Sequence, residues 1–370
     1  MLDIVCTGDL VLDEPNPDYW LSGIATALHS ASLAIGHLEV PHTRVHSAEA
    51  VDVPAPGAAP EHLLALRQAG IDAVSLAGNH IADCGAAGIA DTVQELDRLG
   101  IRHAGAGANL AAARQPALLD CGTFRTALLS YNCVGPEQGW AQADRPGSAF
   151  IRVSTADGSA ITPTAPLRDV DPASLRQLEQ DIQGARRAGA TVCLVALHKG
   201  IVHTPAQLAP YERAVAHGAI EAGADAVISH HAHILRGIEF HRGRPIFHGL
   251  GNGCVVTRAL SPDNAHPKRA EWARQRRERF GFEPDPAYYL APFHPEAVHG
   301  MLARLRIVNG HIAEAGFIPL WVEAPGRPVL ARGERAQAVR DYVAHITQRA
   351  GLPALRLADD GAMISVRAEG

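Results

Sequence analysis

In this 370-residue chain, short apolar runs are each followed closely by a residue that can bind a metal ion. Asp9 follows Leu2–Cys6, and Glu39 follows Leu33–Ile35. Asn79 and His80 follow Ala73–Leu76, and His198 follows Thr191–Leu197. His231 and His233 follow Ala226–Ile228. Asp9, Glu39, Asn79, His198, His231 and His233 supply two carboxylates, one amide oxygen and three imidazoles. That mixed oxygen–nitrogen set suits divalent Mn, Fe or Zn. It is too large for one catalytic ion that must keep open positions. It suits two ions sharing a bridging carboxylate, with water filling the gaps. Alternate residues of an extended segment point the same way, so His231 and His233 are expected to face one site and His230 to point away.

These residues do chemistry together only if the fold gathers them. Amphipathic segments at Trp20–His29, Glu61–Gln68, Gly88–Leu99, Ser174–Arg187 and Pro210–Glu221 read as helices between the apolar runs. Gly100, Gly189 and Gly223 close three of them. Arg125–Ser130, Gly237–His241, Pro245–His248 and Leu302–Ile307 read as further strands. Strand–helix alternation predicts an α/β fold with helices on the sheet faces. In such sheets, sites form at the strand carboxyl ends. Residues 1–325 are expected to form one domain, with loop-like insertions at 135–173 and 261–290. Residues 326–370 read as a C-terminal appendage of a helix, Glu334–Arg349, and a β-hairpin.

The chain carries 33 Lys and Arg against 39 Asp and Glu, a formal charge of −6. This balance argues against a general nucleic-acid binder, which needs a broad basic field. The 47% hydrophobic content is ample for a core. The start, MLDIVCTGDLVLDE, has neither the basic nor the apolar region of a secretory signal. No apolar run is long enough to span a bilayer. Six scattered cysteines with no CxxC pair fit reduced thiols used as small hydrophobes. A cytoplasmic protein without a membrane anchor is expected; its oligomeric state is open.

The order GD, xLE, GNH, HxG and HHxH resembles the calcineurin-like metallophosphoesterase superfamily. More closely, it resembles the CapA-like branch, of the poly-γ-glutamate capsule biosynthesis type. The stretches that carry the resemblance are TGDLVL (7–12), GHLEVP (36–41), AGIDAVSLAGNHIADCG (69–85), LHKG (197–200), EAGADAVISHHAHILRGIE (221–239) and GRPIFHGLGN (243–252). The resemblance implies a four-layer α/β/β/α sandwich of two mixed sheets with flanking helices. It implies that Asp9 and His233 bind a first metal, that Asn79, His198 and His231 bind a second, and that Glu39 bridges the two. His80 would stand beside the ligands as the acid for a leaving group or as a proton shuttle. A hydroxide bridging the ions would be the nucleophile.

The chain departs from the pattern at three positions. Val11 stands where the broader superfamily has a histidine, which leaves the first metal one imidazole fewer, as is usual in the branch. His37 replaces the branch's usual asparagine. It could be a spare ligand, a second proton carrier or a hydrogen-bond partner. Lys199 replaces a usual aromatic; it could greet an anionic group of the substrate or be a solvated rim lysine. His37 and Lys199 are thus the candidate substrate contacts.

Beyond these motifs, His294 is a candidate acid/base group or substrate contact, and His299 lies near it in sequence. Residues 268–279, KRAEWARQRRER, hold six basic and two acidic residues. They read as a solvated helix face or as a collar around an acidic substrate. Trp140, Trp272 and Trp321 could wall a pocket or simply pack. Gly249–Asn252 reads as a turn that lets backbone approach the metals. The leading expectation is a metal-dependent hydrolase acting on a phosphoester or an amide-like bond of an anionic or peptide-like substrate. The alternatives are a metal-dependent peptide epimerase using histidine acid/base chemistry at an α-carbon, and a non-catalytic partner in polymer synthesis or export.

Overall fold

The run VCLVAL has no polar side, so a strand made from it must be covered on both faces. The computed structural model describes residues 1–45, 57–258, 270–271, 274–275, 278, 281–282, 285–290 and 294–369. In it the run forms the strand Val192–Lys199. Leu194 and Ala196 point into a core shared by two sheets. Cys193, Val195 and Leu197 point outward, against helices.

The larger sheet has ten strands. Its main path runs Leu355–Asp359, Ile364–Ala368, His311–Glu323, His299–Val308, Leu2–Leu12, Leu33–Leu38, Ala73–Ser75 and Arg102–Ala104. Asn252–Val256 also pairs with Leu2–Leu12, and Arg327–Leu330 with His311–Glu323. The smaller sheet has six strands, in the order Ile238–His241, Arg244–Phe247, Ala226–His231, Val192–Lys199, Phe124–Asn132 and Ala117–Cys121. Both sheets mix parallel and antiparallel pairs.

Helices Pro17–Ser30, Leu63–Gln68 and Gly85–Leu99 cover the outer face of the larger sheet. Helices Pro172–Arg187 and Pro210–Glu221 cover the outer face of the smaller one. The expected four-layer α/β/β/α arrangement is therefore present. No helix among the described residues is long and apolar enough to cross a membrane.

Four sequence expectations change. The first strand does not stop at Cys6 but runs to Leu12, with a register shift around Asp9. Gly8 permits this, because a Cβ there would lie 2.0 Å from the carbonyl oxygen of Gly251. Residues 135–173 are not a bare loop. They include the short strands Gly147–Ser148, Val153–Thr155 and Leu167–Val170. Residues 326–370 are not an appendage. Val339, Val343 and Ile346 of helix Glu334–Arg349 enter the inter-sheet core, and Ile364–Ala368 extends the larger sheet. The longest strand, His311–Glu323, escapes sequence reading because Glu314 and Pro319 interrupt its apolar pattern. Trp272 and most of the 268–279 basic run lie outside the described residues.

Candidate metal centre

Strand register assembles the site from two rows of side chains. Across the larger sheet, Asn252, Asp9, His37 and Ser75 are register partners on four adjacent strands. Across the smaller sheet, Asn132, His198 and His230 form the facing row. Strand periodicity carries each inner-face run into its polar end. Leu33 and Ile35 lead to His37, Leu194 and Ala196 to His198, and Ala226 and Ile228 to His230. The rows meet ring to ring, with His37 at 4.6 Å from His230 and 4.7 Å from His198.

This corrects the alternation argument for the histidine cluster. His230 lies on the site side, and regular alternation would send His231 outward beside its register partner Lys199. Instead His231 turns back at φ 91°, and His233 follows at φ 53°. Side chains rarely adopt these angles, at a cost of about 1–3 kcal/mol each. The backbone N–H of His231 donates to Asp9, at 3.2 Å from Oδ1 and 3.3 Å from Oδ2, which fastens the turn to the other sheet.

Three donor atoms converge on this turn. Asn79 Oδ1 lies 2.7 Å from His198 Nε2, and His198 Nε2 lies 3.1 Å from His231 Nδ1. Donors bound at right angles to one divalent ion, each roughly 2.1 Å from it, stand about 3 Å apart. On the other side, His233 Nε2 lies 3.2 Å from Glu39 Oε1, and His233 Nδ1 lies 3.9 Å from Asp9 Oδ2. Among the described residues, the buried Glu39 carboxylate is ion-paired to His233 through Oε1 while Oε2 has no partner, and His231 Nε2 has none either. Buried carboxylates without hydrogen bonds are costly unless they are paired or coordinate a metal. The donor set fits divalent ions.

Electrostatics give the same picture. Burial, and then the charge of Glu39, push the Asp9 carboxyl up to about 8. Burial also opposes ionisation of Glu39, but the charge and hydrogen bond of His233, with the charges of His80 and His37, together outweigh it and hold Glu39 at about 2. Conversely, burial opposes a charged His233, and Glu39 with Asp9 overcomes it, so its pKa rises to about 9. Burial and neighbouring imidazoles hold His37 and His198 well below the usual histidine range. His231 falls to about 3, for burial first and His233 second. Without metal the Asp9–Glu39 pair shares one proton at neutral pH, and His198 and His231 keep lone pairs for a cation.

His80 stands beside this set. Its Nδ1 lies 2.7 Å from Asp83 Oδ2 and its Nε2 3.0 Å from Asn79 Nδ2. Asp83 was not singled out by sequence reasoning, although its place three residues after His80 is the available signal. Asn252, Ser75 and Asn132 were also missed as supports. Asn252 Oδ1 sits 3.0 Å from His233 Nδ1, and Ser75 Oγ 2.9 Å from His37 Nδ1. Asn132 Nδ2 donates to the Gly78 carbonyl at 3.0 Å and so anchors the loop that carries Asn79. Register pairing across strands, which a single sequence does not reveal, brings Asn252, Ser75 and Asn132 in.

Other expected contacts lie elsewhere. Lys199 is neither a rim lysine nor a substrate contact. It is fully buried on the outer face of its strand, where its Nζ donates to Glu212 Oε2 at 3.1 Å and sits 3.0 Å from His248 Nδ1. His37 is also no surface contact, being 1% exposed beneath the ligand set. His294 accepts from the backbone N–H of Glu296 at 3.1 Å. A chain of ring contacts leads from it toward the site, through Phe282 and then His203, which stands 6.0 Å from His233. His299 stacks on Tyr342 and meets Trp321 edge-on. Trp140 is buried and stacked on Phe150. The turn at Gly249–Asn252 does bring backbone close, since Asp9 N donates to Gly251 O at 3.0 Å.

Residues 3–255 match the family model described as bacterial capsule synthesis protein PGA_cap. A probable polyglutamine synthesis accessory protein of Mycobacterium tuberculosis (strain CDC 1551 / Oshkosh) is 34% identical over 200 residues, which are 52% of this chain and 47% of that protein. The capsule biosynthesis protein CapA of Bacillus anthracis is 25% identical over 192 residues, 52% of this chain and 42% of that one. The chain thus spans about half the length of these relatives. Among solved structures, the calcineurin-like phosphoesterase YfkN from Bacillus subtilis aligns at TM-score 0.38 and 12% identity, covering 94% of this chain and 97% of that one.

Proposed function

The chain belongs to the bacterial capsule synthesis protein PGA_cap family, and from that premise we propose that it is a metal-dependent hydrolase. Its cofactors would be two divalent ions, Mn, Fe or Zn. The substrate would be anionic or peptide-like, and the bond broken a phosphoester or an amide-like bond. The observation that carries this reading is the convergence of Asn79 Oδ1, His198 Nε2 and His231 Nδ1 beside the buried Glu39 carboxylate, whose Oε2 has no partner among the described residues.

Asp9 and His233 would hold one ion and Asn79, His198 and His231 the other, with Glu39 between them. When bound, two such ions would supply Lewis acidity, lowering the pKa of water and offsetting charge at the attacked centre. The protein's part is to hold and move protons around that centre. Asp83 fixes the His80 ring through Nδ1, so Nε2, which accepts from Asn79 Nδ2 at 3.0 Å, is the atom that would take up a proton and pass it to the leaving group. Asn252 takes the Nδ1 proton of His233 and keeps Nε2 turned to Glu39. The turn at His231 ties the smaller sheet to Asp9 of the larger one, and the close approach of Gly8 to Gly251 seats the Asn252 strand beside Asp9.

The test is turnover by the Mn²⁺-loaded chain of an aryl phosphate and of γ-glutamyl peptides. Hydrolysis that His80→Ala abolishes while metal stays bound supports the reading. No hydrolysis on that panel, with solvent deuterium entering a peptide α-carbon, would contradict it and favour epimerisation.

A further inference from the structure

Resting on the metal reading above, we propose that His37 Nε2 is a further ligand of the ion held by Asp9. His37 is 1% exposed, and its Nε2 has no hydrogen-bond partner among the described residues. Its other nitrogen is committed, with Nδ1 2.9 Å from Ser75 Oγ. Ser75 Oγ in turn donates to the Gly36 carbonyl at 3.4 Å, so its single hydrogen is used and it accepts the Nδ1 proton. That leaves a bare lone pair on Nε2.

The lone pair faces Asp9 Oδ1 at 3.9 Å. At that separation no hydrogen bond joins the two atoms, and a cation can sit between them. Two donors on one ion, each roughly 2.1 Å from it, can stand roughly 3 to 4 Å apart. Asp9, His37 and His198 each offer one ligand atom, and the three lie within 4.8 Å of one another. The ring is held for this task. It stacks on His230 at 22°, and Ser75 holds its Nδ1, which fixes the ring orientation in the way a polar partner on the second nitrogen orients a ligating histidine. Gly78 leaves the space open, since a Cβ there would sit 3.3 Å from His37 Nε2.

Calorimetric titration of the metal-free full chain with Mn²⁺ tests the assignment, together with zinc-edge X-ray absorption of the Zn²⁺-loaded chain. His37→Asn is expected to weaken one of the two binding events at least ~100-fold and to remove one imidazole from the zinc spectrum. Ser75→Ala keeps the imidazole but frees the ring; it is expected to weaken the same event by about tenfold with the imidazole signal retained. Unchanged affinity and spectrum in His37→Asn overturn the assignment. Should His37→Asn not fold, unchanged affinity in Ser75→Ala overturns it. A wild-type chain that takes up no ion overturns the metal reading itself, which is a separate outcome.

Discussion

His198 and Lys199 are neighbours on one strand, yet they open onto two different buried polar environments. On the outer face, Lys199 meets Glu212, and Glu212 also binds Arg236 at 3.1 Å and the backbone N–H of Ala209 at 2.8 Å. Burial works against the charge on Glu212, but Arg236 and Lys199 outweigh it and hold its pKa at about 2. On the inner face, His198 meets a set in which Glu39, His37 and His231 each keep a polar atom with no partner among the described residues. Both clusters are buried and both are rich in charge. In the outer, closed cluster the carboxylate is fully engaged, by Lys199, Arg236 and a backbone N–H; in the inner, open one it is not. Burial and perturbed titration do not separate structure from function here. Neither does a lone unmet nitrogen, since Arg236 Nε and His248 Nε2 also lack hydrogen-bond partners among the described residues. What differs is that the inner cluster's unmet atoms are carboxylate oxygens and imidazole nitrogens together, a set that can ligate a cation.

The largest effect that would sharpen this contrast is on the closed cluster. Glu212→Leu leaves Lys199 and Arg236 buried without their carboxylate. It is expected to cost about 3–5 kcal/mol of stability, read by urea or thermal unfolding, and a shift under ~1 kcal/mol would break the comparison. In the open cluster, His80→Ala should leave the fold and metal content intact. Turnover should fall by roughly 10²–10⁴-fold, measured at saturating Mn²⁺.

A pH effect of intermediate size follows from the open cluster. Asp9 and His233 are raised, to about 8 and about 9, so the metal-free folded chain holds protons that the unfolded chain releases at lower pH. Their stabilisation is present below the unfolded values and is lost as pH rises through 8 and 9. Metal must displace those same protons. Mn²⁺ affinity is therefore expected to rise between pH 6.5 and 8, by up to roughly 100-fold per unit if both protons leave. Calorimetry at several pH values checks this, and a flat profile would contradict the shifts.

The smallest effect is a near absence. Glu39→Gln in the metal-free chain should change unfolding free energy by only about 1 kcal/mol. His233 can shed its proton when its partner goes, whereas Arg236 cannot. Glu39→Gln and Glu212→Leu, compared by unfolding, thus set the two clusters against each other.

Much of this was legible in the sequence. Asp9, Glu39, Asn79, His198, His231 and His233 follow apolar runs, and an α/β sandwich gathers such residues at one edge. What was not legible depends on pairing and on backbone detail. Alternation misplaced His230, which faces the site together with His231 because the strand reverses its facing at the positive φ of His231. Lys199 looked like a rim residue because nothing in LHKG shows that Glu212, on the following helix, closes over it. The Asp9–His37–Ser75 row exists only through register between strands far apart in sequence. The C-terminal residues were set aside because a lone helix and hairpin carry no signal of the sheet they extend.

The central claim is that the ligand atoms gathered at the strand ends are a binding site for divalent ions. Calorimetric titration of the metal-free chain with Mn²⁺, repeated on His231→Ala, tests it most directly. The account predicts two bound ions in the wild type and loss of one event in a His231→Ala chain that is still folded. No uptake by the wild type, or unchanged uptake by His231→Ala, would contradict it.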